Sequence, residues 1–122
     1  METGVETTVE AEEVLIASGS RPNSDLVQAD KAGIVMDKWG GIKVNEYLQT
    51  SQPHIYALGD ITGKLLYRHK ANYEAQLLAD NLYTDKPKRK ADYATVPMAA
   101  FTAPQLSSVG LTEKQVKEQG IP

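Results

Sequence analysis

Apolar and polar residues alternate over Val5-Glu6-Thr7-Thr8-Val9, and a continuous apolar run, Val14-Leu15-Ile16-Ala17, follows and stops at Ser18-Gly19-Ser20. Alternation predicts a strand with one wet face, whereas an unbroken apolar run predicts a strand buried on both faces. Arg21-Pro22-Asn23-Ser24 is a turn cluster that ends this stretch. A short helical turn is expected over residues 25–33, closed by Gly33. Gly40-Gly41 lies between Ile34-Val35-Met36 and Ile42-Lys43-Val44, which reads as a small hairpin. Thr50-Ser51-Gln52-Pro53 then leads into Ile55-Tyr56-Ala57-Leu58, a short buried strand that ends in Gly59-Asp60.

The strongest helical pattern runs from Arg68 to Tyr83, where Ala71, Ala75, Leu78, Ala79 and Leu82 make one apolar stripe at helical spacing. Tyr93 to Phe101 predicts a strand, with Pro97 at an edge or a bulge. Ser107 to Gly110 predicts a second, shorter one. Thr112 is the expected N-cap of a helix over residues 113–119, and Gly120 its stop. There is no internal repeat and no low-complexity tract. The expected class is α/β, turning α+β in the C-terminal part.

Composition narrows the function classes. With 41% apolar residues the 122-residue chain has enough apolar material for a packed core. Thirteen basic and 16 acidic residues leave a net charge of −3, which gives no nucleic-acid footprint. The basic run Lys86, Lys88, Arg89 and Lys90 is interrupted by Pro87 and reads as a solvated connection. No cysteine is present, so the chain holds neither a disulfide nor a redox-active thiol pair. No apolar stretch approaches the roughly 20 residues that span a bilayer. The acidic, Thr-rich start over residues 1–13 is unlike a signal or transit peptide, so a cytoplasmic setting is expected.

The chemistry concentrates at strand–Gly59–Asp60–loop–helix. Open α/β sheets bind ligands at the carboxyl ends of their strands, where this pattern places Asp60. Gly59 permits close backbone approach, and Asp60 can accept hydrogen bonds from polyol hydroxyls. The first N–H groups of the helix that follows carry partial positive charge and suit an anionic group. A plainer reading is available for the dipeptide alone: Gly-Asp after a strand is a common turn, with Asp60 capping the loop.

The wider sequence resembles the pyridine nucleotide–disulfide oxidoreductase family, in its dihydrolipoamide dehydrogenase, glutathione reductase and mercuric reductase branch. Thr50 through Gly59-Asp60 is similar to that family's second FAD-binding motif. Val14 to Asn23, with Gly19, Arg21, Pro22 and Asn23, resembles the strand and turn that leave its NAD-binding domain, and Gly33 to Asn45 the hairpin after it. Leu66-Tyr67-Arg68-His69-Lys70-Ala71 stands where relatives open the helix under the flavin. Val96-Pro97 through Pro104, then Ser108 to Glu113, resemble the start of the dimerisation domain.

The resemblance implies a fold with two dinucleotide-binding domains and an α+β dimerisation domain. Of these, residues 1–23 would end the NAD(P)-binding domain, 24–90 form the FAD-binding central region and 91–122 begin the dimerisation domain. It implies FAD and NAD(P)H as cofactors: Gly59, Asp60, Leu66, Tyr67, Arg68 and His69 at FAD, and Gly19 at NAD(P). Asp60 would hydrogen-bond the ribitol, and backbone N–H groups of residues 66–69 would meet the pyrimidine edge. Tyr67 and Arg68 depart from the family's side chains, and Gln105 stands where many relatives have Glu. His69 is expected at a helix start and not as a proton-transfer group. No residue is expected to be catalytic, because the GxGxxG turn, the cysteine pair and the C-terminal His–Glu pair are all missing. The chain reads as a piece of a longer homodimeric flavoenzyme, inactive alone, with the remainder of its own chain as partner and neither nucleic acid nor membrane. The rival expectation is a non-catalytic module that acts by protein association.

Overall fold

The computed structural model of the chain describes residues 6–121. Its regular elements are a 3-10 turn, Gly59–Thr62, a helix α1, Arg68–Tyr83, strands β1, Met98–Ala100, and β2, Leu106–Ser108, and a helix α2, Glu113–Glu118. The two strands pair antiparallel, with Ala99 opposite Ser107.

Residues 24–62 fold as linked turns around a small core. Ala29 N–H donates to Ser24 O at 3.1 Å and Ile34 N–H to Ala29 O at 3.1 Å. The expected helical turn does not propagate, because Gln28 takes a left-handed φ of 51° that breaks the ladder. The first hairpin is present in reduced form, as a single antiparallel bridge between Met36 and Ile42. Its tip is held by Asp37, whose Oδ1 accepts from Trp39 N and Gly41 N at 2.8 Å each. Those backbone donors, Gly41 foremost, hold the Asp37 carboxyl below the usual carboxylate range. Ala29, Ile34, Ile42 and Ala57 form the core, with Met36, Val44, Ile55 and Ile61 packed against it.

The second hairpin carries the chain into the 3-10 turn. Gln49 bridges Tyr56 in antiparallel register, Thr50 N–H donates to Ile55 O at 2.9 Å and Ala57 N–H to Leu48 O at 3.0 Å. The segment before Gly59 is therefore an antiparallel hairpin arm. Among the described residues no parallel strand pairs with it, so Asp60 follows a hairpin arm where the carboxyl end of a strand in an open α/β sheet was expected. Ile42 N–H reaches Ile61 O at 2.9 Å, so the first hairpin braces the 3-10 turn directly.

That brace leaves no room at Gly41, where a Cβ would lie 2.9 Å from the backbone oxygen of Thr62 and 2.9 Å from Asp37 Oδ2. Gly41→Ala is expected to cost about 1–3 kcal/mol, as overpacking against backbone does. A urea midpoint unchanged by the substitution would refute this.

Three further expectations change. Residues 6–9 and 14–17 form no strand, and Val14, Leu15 and Ile16 are 81%, 90% and 82% exposed; Val5 lies outside the described residues. A strand needs a neighbour for its backbone groups, and the described residues offer this segment none. The Tyr93–Phe101 strand shrinks to Met98–Ala100, because Tyr93 turns toward α1. The apolar stripe of α1 is also not its buried face: Lys70, Glu74, Leu77 and Asn81 are buried, while Ala75, Ala79 and Leu82 are exposed.

The boundaries of α1 and the start of α2 agree with the sequence pattern. Thr112 and Gln115 form a full capping box on α2. The basic connection is pinned by two salt bridges, Arg89 to Asp80 at 2.9 Å and Lys90 to Glu46 at 2.7 Å. No helix among the described residues is long and apolar enough to cross a membrane.

Candidate functional site

Gly59 takes a left-handed φ of 73°, which turns the chain out of the hairpin arm and into the 3-10 turn. Asp60 is the next residue, and its side chain is exposed. Among the described residues nothing donates a hydrogen bond to its carboxylate. That leaves a negatively charged acceptor open to a ligand. Asp60 lines a cleft of about 330 Å³ with Ser20, Arg21, Pro22, Asn23, Ile61 and Leu66.

Two more clefts adjoin. One of about 610 Å³ runs between the Arg21-Pro22 turn and the Lys38-Trp39-Gly40 hairpin tip, reaching Gly63 and Leu66. The other, of about 450 Å³, lies at the amino end of α1 between residues 66–69, Asn72, Ala99 and Phe101. Leu66 borders all three, so they meet as an extended surface. The amino end of α1 has Tyr67 at its N-cap, with no side-chain cap. Its first-turn N–H groups therefore keep their partial positive charge facing that cleft.

Beneath Asp60 lies a polar network that sequence patterning missed. Glu74 Oε2 accepts from Gly59 N–H at 2.7 Å, and Lys70 Nζ donates to Gly59 O at 3.1 Å and to Thr62 Oγ1 at 3.0 Å. Lys70 and Glu74 pair at 3.1 Å, and each side chain is 1% exposed. Tyr93 donates its hydroxyl to Glu74 Oε1 at 2.6 Å, while Tyr73 stacks edge-on with Tyr93 at 6.5 Å between ring centroids. No buried side-chain polar atom among the described residues lacks a partner. The legible signal was the Lys70–Glu74 spacing of four on one helix face.

Burial and then the hydrogen bond to Glu74 raise the Tyr93 phenol above the ordinary tyrosine range. The folded-state pKa exceeds the unfolded one, so the associated stability is complete below about pH 10, the ordinary tyrosine value, and drains away as pH climbs toward the folded pKa. One of the six tyrosines is expected to resist ionisation in an ultraviolet titration of the folded protein. Tyr93→Phe should abolish that late step.

The structure brings Asp60 and residues 66–69 onto one connected surface, with Gly59 buried beneath as the hinge of the turn. Gly19 lies in the exposed segment before it and lines none of the three clefts. His54 and His69 are both exposed. No group of three or more His, Cys, Asp or Glu among the described residues is arranged to hold a metal ion. The free carboxylate, the uncapped helix end and the joined clefts fit an extended nucleotide with both a polyol and an electron-rich edge. These are the parts FAD presents.

Comparison with known proteins assigns the chain's class from sequence. The profile of the pyridine nucleotide-disulphide oxidoreductase family matches residues 1–86. The chain belongs to this family. It is 43% identical over 117 residues to a mercuric reductase of Staphylococcus aureus, covering 96% of this chain and 21% of that protein. It is 40% identical over 118 residues to a dihydrolipoyl dehydrogenase of Bacillus subtilis, covering 97% and 25%. Among solved structures, the HOCl-induced flavoprotein disulfide reductase RclA from Escherichia coli aligns with a TM-score of 0.77 at 34% identity, over 85% of this chain and 24% of that one. The chain thus spans about a fifth to a quarter of the length of these relatives. Members of the family are flavin-dependent disulfide oxidoreductases that use FAD and NAD(P)H.

Proposed function

We propose that this chain supplies one wall of the FAD site of an NAD(P)H-dependent disulfide oxidoreductase, most like dihydrolipoamide dehydrogenase, and that further polypeptide completes the site. The observation that carries the reading is the Asp60 carboxylate, unpartnered and open to a cleft that joins the bare amino end of α1. Asp60 accepts hydrogen bonds from the ribitol hydroxyls, and the backbone of residues 66–69 holds the pyrimidine edge through the N–H groups left free there, that of Tyr67 donating to Leu65 O at 2.7 Å. Gly59 brings the backbone close, and Gly19 borders the NAD(P)H site. Bound FAD supplies the electron-transfer chemistry, while these residues bind and orient it and stabilise charge that gathers at its edge.

In this reading residues 1–23 end the NAD(P)-binding domain, 24–90 belong to the FAD-binding region and 91–122 begin the dimerisation domain. The chain alone is inactive, since it has no cysteine to pass electrons to a disulfide. Exposed Phe101, Leu106 and Val109, at 78%, 67% and 63%, support cover by a second copy, and hence a homodimer, on the β1–β2 hairpin. The same exposure favours the second reading, a module that acts by association alone. The enzyme is proposed to be cytoplasmic and to use NADH or NADPH.

Flavin decides between the two readings. The protein expressed from the complete reading frame that contains this chain should carry FAD and show its visible absorbance. Asp60→Ala should weaken FAD binding about 10- to 100-fold, the worth of hydrogen bonds to a charged acceptor. A protein that neither carries FAD nor takes it up saturably would leave the association module standing.

A further inference from the structure

We propose that Lys70, Glu74 and Tyr93 are positioning residues for the flavin, acting through the backbone of Gly59 on the carboxylate of Asp60. The inference rests on the FAD reading above and names residues that the reading does not use.

Both polar groups of Gly59 are held from α1. Its N–H goes to Glu74 Oε2 at 2.7 Å and its carbonyl accepts from Lys70 Nζ at 3.1 Å. Thr62 Oγ1, itself bonded to Lys70, donates to the same carbonyl at 2.9 Å. The carbonyl of Gly59 and the N–H of Asp60 share one peptide plane, so fixing the first orients the second. Gly59 has no side chain and sits in a left-handed conformation, so its own packing does little to define that plane. The helix defines it instead.

Stability alone does not account for this arrangement. Two charges, each 1% exposed, carry a desolvation penalty that their attraction can fail to offset. What the charges add is direction. Lys70 directs its ammonium to Gly59 O, Thr62 Oγ1 and Glu74, and Glu74 accepts from Gly59 N, Lys70 and the Tyr93 hydroxyl. A network with every contact filled has one geometry. Tyr93 ties in the connector that follows α1, which is further pinned by Asp92 N–H to Tyr73 Oη at 2.9 Å and by Asn81, whose amide bonds both Arg89 O and Arg89 N.

The test uses the FAD-loaded protein from the complete reading frame and a double-mutant cycle. Tyr93→Phe removes one hydroxyl and retains the ring, so it is expected to fold; Glu74→Gln is the stronger companion. With Asp60 intact, Tyr93→Phe should weaken FAD binding by about two- to tenfold, as coupled neighbours do. Glu74→Gln should weaken it more. In the Asp60→Asn background both fold-losses should shrink toward one. If the losses are equal with and without the Asp60 carboxylate, the network is merely structural and the inference is overturned. A Tyr93→Phe protein with unchanged FAD affinity overturns it too. If the unmutated protein takes up no FAD, the flavin reading itself has failed, and that result is distinct from both of the others.

Discussion

Glu74→Leu is expected to destabilise the protein by about 3–5 kcal/mol, the cost of leaving one member of a buried ion pair without its partner. The substitution strands the Lys70 ammonium at 1% exposure, and it also deprives the Gly59 N–H and the Tyr93 hydroxyl of their acceptor. The orphaned Gly59 N–H, which is buried, adds to the loss, whereas the half-exposed Tyr93 hydroxyl can turn to water. Thermal or urea unfolding measures the effect. Replacing both charges, Lys70→Met with Glu74→Leu, should recover part of it, because no bare charge remains. Recovery should stay incomplete, since Gly59 N–H would still lack its acceptor at about 1–3 kcal/mol. Full recovery would show that the backbone contact contributes little, and a Glu74→Leu loss below about 1 kcal/mol would contradict the pair's burial.

Leu48→Ala comes next in size. Leu48 is fully buried, at 0% exposure, and its carbonyl accepts from Ala57 N–H at 3.0 Å across the arm that leads to Gly59. Truncating a buried leucine costs about 2–5 kcal/mol through lost transfer energy and the cavity left behind. The backbone here is also left-handed, with φ of 64°, a conformation that disfavours any side chain with a Cβ. Alanine keeps that strain, which therefore cancels from the difference, so the loss reports the packing alone. Leu48→Gly would relieve the strain and separate the two contributions in the same unfolding assay. The conformation is served by Asn45, whose Oδ1 accepts from Tyr47 N at 2.9 Å and from Gln49 N at 3.1 Å and so closes the turn.

Local chemistry was readable wherever one residue or a short spacing determines the outcome. Thr112 with Gln115 makes a capping box from side chains three apart. The Arg68–Tyr83 helix needs only its own periodicity and good helix formers. Gly40-Gly41 marks a hairpin because the Asp37 carboxylate can gather the amides of the tip. The same is true of Asp60: a short polar side chain after a glycine turn points outward, where a ligand can reach it.

What was not readable depends on partners distant in sequence. The run Val14–Ala17 looks like a buried strand, but burial needs a neighbouring strand, and among the described residues none reaches it. The apolar stripe of α1 is visible in sequence, yet the helix buries Lys70, Glu74 and Asn81. Periodicity cannot tell that a turn eleven residues upstream and a tyrosine nineteen downstream will satisfy those polar groups. A buried charge is favourable only once all its partners are in place, and that is a property of three-dimensional proximity.

The amino-acid sequence by itself therefore determined the family, the bounds of α1, the start of α2 and the place of Asp60 after the glycine turn, because each follows from short-range geometry or from motifs in register. Only the tertiary structure decided which face of α1 turns inward and that Lys70, Glu74 and Tyr93 converge on the Gly59 peptide. Hydrogen bonds across long loops are set by the folded path of the chain, and no local pattern encodes them.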